Sequence, residues 1–224
     1  MTRPLDPSRL KRDSLYTRKS KVSFRGFAVP PRRGMSFARF LSGLPDFLAA
    51  KDFRAVVDAV VRARRRGRPV LLGIGAHFIK VGLSPLLIRA IREGVFTSVA
   101  MNGAGVIHDV ELALAGKTSE DVEARLGDGS FGMARETAQF LHAALGDGVG
   151  AGLGFGAAVG KALAESKARH RDKSLLAHAF RSGVPVTVHV AVGADIVHMH
   201  PEADGRTIGE GSLRDFRTFC GLVA

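Results

Sequence analysis

Three short, mostly apolar runs constrain this chain more than any other feature: "PVLLGIG" (69–75), "FTSVAM" (96–101) and "VPVTVHVAV" (184–192). Each is followed by small residues, and between them lie segments with helical periodicity. Strands that are apolar without strict alternation are buried on both faces, and strand–helix–strand order closes parallel crossovers. The expected fold is therefore α/β, a mainly parallel sheet with helices on both faces.

The helical segments follow from their punctuation. "SPLLIRAIREG" has Ser84 as cap, Pro85 in the first turn and Gly94 as stop, and Val106 to Ala115 continues after the second strand. "TSEDVEARLG" opens on a capping signal from Thr118 to Asp121, and "FGMARETAQFLHAALG" is amphipathic. "GVGAGLGFGAAVGKALAESKA" is rich in small residues that permit close helix packing. No strand precedes it and no G-K-[ST] occurs in it, which argues against a phosphate loop. "SLLAHAFRSG" and the terminal "GSLRDFRTFCGLVA" complete the set. His142, His170 and His178 fall on helical segments as surface or boundary residues.

Charge separates the chain into two parts. Residues 1–68 hold 18 Lys/Arg against 5 Asp/Glu, whereas residues 69–224 hold 15 against 16. The basicity belongs to an N-terminal arm, residues 1–34, broken by Pro4, Pro7, Pro30 and Pro31, and to "RARRRGR" at the end of a helix starting at Asp52. Basic residues in a last helical turn meet the negative end of the helix dipole. With no Trp and Tyr16 as the one Tyr, stacking platforms for bases are missing, which argues against a nucleic-acid surface. A helix "SFARFLSGLPDFLAA" capped by Ser36 opens an α/β domain over 35–224. Cys220 alone supplies no intramolecular disulfide, no apolar run reaches membrane-spanning length, and the basic N-terminus lacks an apolar core. The expectation is a cytoplasmic protein without a membrane partner.

In parallel sheets ligands bind beyond the carboxyl ends of the strands. Gly73 and Gly75, with Ala76 and His77, begin like a dinucleotide fingerprint, but Phe78 stands where a third glycine belongs. The second strand ends in "NGAGVIHD". Asn102 offers an amide, Gly103, Ala104 and Gly105 leave volume, and His108 and Asp109 fall in the first helical turn with Glu111 on the His108 face. The third end carries His189, Asp195, His198 and His200. An H-x-H on a strand points two imidazoles to one face, so this group is a candidate metal site for a metal-dependent hydrolase.

Taken together, "PVLLGIGAHFIKVGLSPLLIRAI", "SVAMNGAGVIHDVELALAG" and "SLLAHAFRSGVPVTVHVAVGADIVHMHP" resemble segments of the deoxyhypusine synthase family, in the family's order and from about Lys21 onward. The resemblance implies a Rossmann-like NAD-binding fold and a homo-oligomer, usually a tetramer, with NAD at subunit interfaces. It implies an NAD-dependent aminoalkyl transferase that oxidises a polyamine and passes an aminobutyl group through an enzyme lysine. By that likeness Gly73, Gly75, Ala76, His77 and Asn102 to Gly105 lie near the dinucleotide, while His108, Asp109 and Asp195 contact a small amine substrate. His108 stands where the family carries an acidic residue, and "VAVGAD" is shorter than the family's T-D-G-S-L-G-D segment. The family's lysine-bearing part has no counterpart before Ala224, so little transferase turnover is expected of this chain. A non-catalytic oligomeric scaffold with a basic arm is the further alternative.

Overall fold

The structure, a computed structural model, describes residues 4–224, so Met1 to Arg3 of the expected arm lie outside the described residues. Two compact units divide between Ala59 and Val60. The first holds helix α1 (Phe37–Ser42), capped by Ser36 as its sequence implies, and most of α2 (Leu48–Arg65). The single long helix expected over 36–50 is broken after Ser42 by Gly43 and Pro45. The Arg54 guanidinium holds that break in place by donating to the carbonyls of Leu44, at 3.0 Å, and Pro45, at 2.9 Å.

The second unit is mixed α/β and mostly helical, built around three parallel strands. They are β1 (Leu71–Ile74), β2 (Ser98–Asn102) and β3 (Val186–His189), in that spatial order. Leu72 lies beside Val99, Val99 beside Val186, and Asn102 beside His189. Among the described residues the order contains no reversal, so any cleft comes from the loops beyond the strand ends.

Helices α3 (His77–Lys80) and α4 (Ser84–Arg92) connect β1 to β2. After β2 come α5 (Gly103–Ala115), α6 (Val122–Leu126), α7 (Arg135–Gly150), α8 (Phe155–Glu165) and α9 (Leu175–Arg181), and α10 (Gly205–Val223) follows β3. The core is the apolar face of the sheet, Val99, Met101 and Val188, against Val106, Val110, Leu145, Val159, Leu163 and Leu175. Among the described residues no helix is long and apolar enough to cross a membrane.

The small-residue stretch does pack closely, as its composition implies. A Cβ on Gly148 would overlap Ala158, and one on Gly156 would overlap the Val186 carbonyl, so α8 rests directly on α7 and on β3. The edge of β3 is not left open. On α10, Asp215 accepts from the Val188 N–H at 2.7 Å, and Ser212 donates to the Val188 carbonyl and accepts from the Val190 N–H, each at 3.0 Å. Two side chains thus take the backbone groups that a fourth strand would otherwise pair.

Candidate functional site

The carboxyl ends of β2 and β3 meet at a cavity of about 270 Å³, whose lining includes Lys80, Ala104, His108, Glu111, Glu120 and Asp195. Asn102 ends β2 and caps α5, its side-chain oxygen accepting from the Gly105 N–H at 3.1 Å. The helix therefore starts at Gly103 and not at Val106 as periodicity suggested. Beyond β3, Gly193 takes a left-handed φ of 87° and turns the loop back toward β2. That turn carries the Asp195 carboxylate onto the backbone of Gly103, where a Cβ would overlap it.

Asp195 is half-buried. Among the described residues its carboxylate neither caps the 3₁₀ turn that follows nor takes a hydrogen bond. Burial raises its pKa above the ordinary range, and the nearby His198 charge offsets that only in part. A desolvated carboxylate without a partner, facing a cavity, can pair with a cation. On the other wall, His108 Nδ1 lies 2.6 Å from Thr118 Oγ1 and 3.7 Å from Glu111 Oε2, and Thr118 donates to that same carboxylate oxygen. A second cavity of about 560 Å³ shares Glu111, Glu120 and Thr137 with the first and adds Lys117, Thr118 and Glu136. Carboxylates outnumber cations in both linings.

Several expected site residues are placed otherwise. Asp109 is not available to a ligand: it is fully buried and accepts from the Ser174 hydroxyl at 2.6 Å and from the Leu175 and Leu176 amides at 2.8 and 3.0 Å. It anchors the start of α9, and burial raises its pKa against the pull of those donors. Gly103 and Gly105 do not leave open volume, since Asp195 fills the space over one and Met101 that beside the other. Ala76 is buried. Gly73 and Gly75, in contrast, face open space, and His77 is exposed at the start of α3. Ala104 and His108 line the cavity.

The residues of the metal alternative are not gathered into one site. The strand stops at His189, and Ile196–Met199 is a 3₁₀ turn, so His198 and His200 do not share a strand face. Each ring is engaged separately: His189 with Thr187 Oγ1 at 3.0 Å, His198 with the Gly193 N–H at 3.1 Å, and His200 with the Gly132 carbonyl at 3.1 Å. Among the described residues no group of three or more His, Cys, Asp or Glu could hold a metal ion. His142 is also not a boundary residue: it is buried in α7, with Nε2 3.0 Å from the Val197 carbonyl.

Sequence reasoning missed Lys80 and Thr118. Thr118 was legible in principle. His108 and Glu111 stand one turn apart, Gly116 ends the helix with a φ of 70°, and the next polar residues must fold back along that face.

No family model and no curated protein matches the chain. Among solved structures it is similar to the apo structure of ArgZ, an arginine dihydrolase from the ornithine-ammonia cycle in cyanobacteria, with a TM-score of 0.50 and 14% identity. The similarity covers 79% of this chain and 23% of that one, so the chain spans about a quarter of the length of the structure it resembles. At that identity the likeness concerns the fold alone, a mixed α/β arrangement carrying a small parallel sheet.

Proposed function

We propose that the chain is a deoxyhypusine synthase-like unit whose strand-end cavity holds the ammonium end of a polyamine or other small amine, beside a groove for NAD. The observation that carries the amine half is Asp195, a half-buried carboxylate without a partner among the described residues, in a cavity that also presents Glu111 and Glu120. An ammonium group restores to Asp195 the charge pairing that burial removed. The finer reading of the fold as Rossmann-like, and the family's oligomeric assembly, belong to this same proposal.

The dinucleotide half is supported by Gly73 and Gly75, which leave space that side chains would fill, and by exposed His77 and Asn102 at the neighbouring strand ends. Gly103 and Gly105 take no part in it. Bound there, NAD would supply hydride acceptance and return for oxidation of the amine ahead of aminoalkyl transfer. The chain's own contribution is to orient the amine with Asp195 and to manage its proton through the imidazole of His108.

Thermal unfolding of the full chain tests both halves separately. A ligand present at 100 times its Kd stabilises by about 2.7 kcal/mol, which raises Tm by roughly 5–10 °C for a chain of this size. Spermidine and NAD should each produce such a rise. A Tm unmoved by millimolar NAD removes the cofactor from the proposal, and one unmoved by spermidine removes the amine.

A further inference from the structure

Behind the cavity, charge fixes the direction of a chain of hydrogen bonds. Thr118 lies between His108 and Glu111, 2.6 Å from His108 Nδ1 and within hydrogen-bond reach of Glu111 Oε2. A hydroxyl has one proton to give. Burial pushes the Glu111 carboxyl up, but its contact with the His108 ring, 3.7 Å away, and the hydrogen bond from Thr118 outweigh that and hold it below the usual range. Glu111 is thus an ionised acceptor with nothing to donate. Thr118 gives its proton to Glu111 and must accept at its other contact, which requires a proton on His108 Nδ1. A neutral imidazole carries a single N–H, so the lone pair is on Nε2.

We infer that His108 is the proton acceptor of this cavity, presenting an unprotonated Nε2 to the ligand, with Thr118 and Glu111 as the positioning residues that set its tautomer. The identity of the ligand rests on the amine reading above; the tautomer does not. With an ammonium ligand held by Asp195, one N–H proton passes to Nε2. This leaves a neutral amine and an imidazolium whose Nδ1–H still donates to Thr118. Glu111 Oε2, 3.7 Å from Nδ1, stabilises the charge the ring acquires. The other charged side chains facing this cavity are Lys80, Glu120 and Asp195.

Two readouts test the inference on the full chain without requiring activity. Two-bond ¹H–¹⁵N correlation spectra of histidine-labelled protein distinguish a protonated ring nitrogen from a bare one. Wild type and Thr118→Ser should show His108 as the Nδ1–H tautomer, and Thr118→Val should revert to Nε2–H. Diethylpyrocarbonate acylates the bare nitrogen, and its rate at His108, read by peptide mass spectrometry, should fall about tenfold in Thr118→Val and be preserved in Thr118→Ser. An Nε2–H tautomer in wild type, or a Thr118→Val protein with unchanged tautomer and acylation rate, overturns the inference. Putrescine then separates the two readings. Binding that moves Nε2 to the imidazolium range supports both, and binding that leaves it bare overturns the acceptor role. Absence of binding defeats the amine reading, and the tautomer and acylation results then decide the inference by themselves.

Discussion

Asp215 makes the sharpest stability prediction. Its carboxyl is 3% exposed and one oxygen accepts both the Gly156 N–H at 2.8 Å and the Val188 N–H at 2.7 Å. It joins the start of α8 to the edge of β3. Burial outweighs those two bonds and pushes the pKa from 3.8 to about 6. Because the folded chain binds this proton more tightly than the unfolded chain, the associated stability is fully present below the unfolded value. It is lost as pH rises through about 6. At about 1.4 kcal/mol per pH unit, the rise from 3.8 to about 6 corresponds to about 3 kcal/mol. Asp215→Asn mimics the protonated group and keeps an oxygen for both amides. Urea unfolding followed by far-UV circular dichroism should find it more stable than wild type by about 3 kcal/mol at pH 8, with the gap closing toward pH 4. The other titrating groups cancel in that difference. Asp215→Ala should instead lose about 2–4 kcal/mol near pH 4, where wild type is protonated, since both amides lose their acceptor. A gap between wild type and Asp215→Asn that is constant with pH, or of opposite sign, would refute the reasoning.

Asp109→Ala strands a hydroxyl and two amides in the core, and chemical denaturation should register a loss of about 3–5 kcal/mol. Gly156→Ala forces a methyl group against the Val186 carbonyl and should cost about 2–3 kcal/mol in the same assay, with a lowered Tm. Because the rings of His189, His198 and His200 are engaged separately, elemental analysis of protein purified without chelator should find zinc, iron and manganese well below one per chain.

The strands were legible because apolar runs of that length, each closed by small residues, have few other uses. Element starts were less so, for identifiable reasons. Glycine is a poor helix former, so "GAG" after Asn102 reads as open loop. The Asn102 cap and the close approach of Asp195 to Gly103 instead make it the first turn of α5. Asp109 looked functional because an ionisable group at a strand–helix junction invites a ligand. Its partners lie 65 to 67 residues away, and no local pattern announces them. The histidines beyond β3 do not share a strand face because the strand ends at His189 and Ile196–Met199 is a 3₁₀ turn, which the alternating sequence does not announce. Spacing and position singled out His108 and Asp195, which line one cavity, whereas the Thr118 link needed the chain reversal at Gly116.

On the proposed function, the acidic cavity at the strand ends takes an amine cation, with Asp195 as its anchor. Calorimetric titration of spermidine into wild type and Asp195→Asn addresses it most directly. One saturable site per wild-type chain is expected, weakened at least about tenfold in the variant, as loss of a partly buried charge partner demands. Equal affinity in the two proteins, or no saturable heat in wild type, would contradict it.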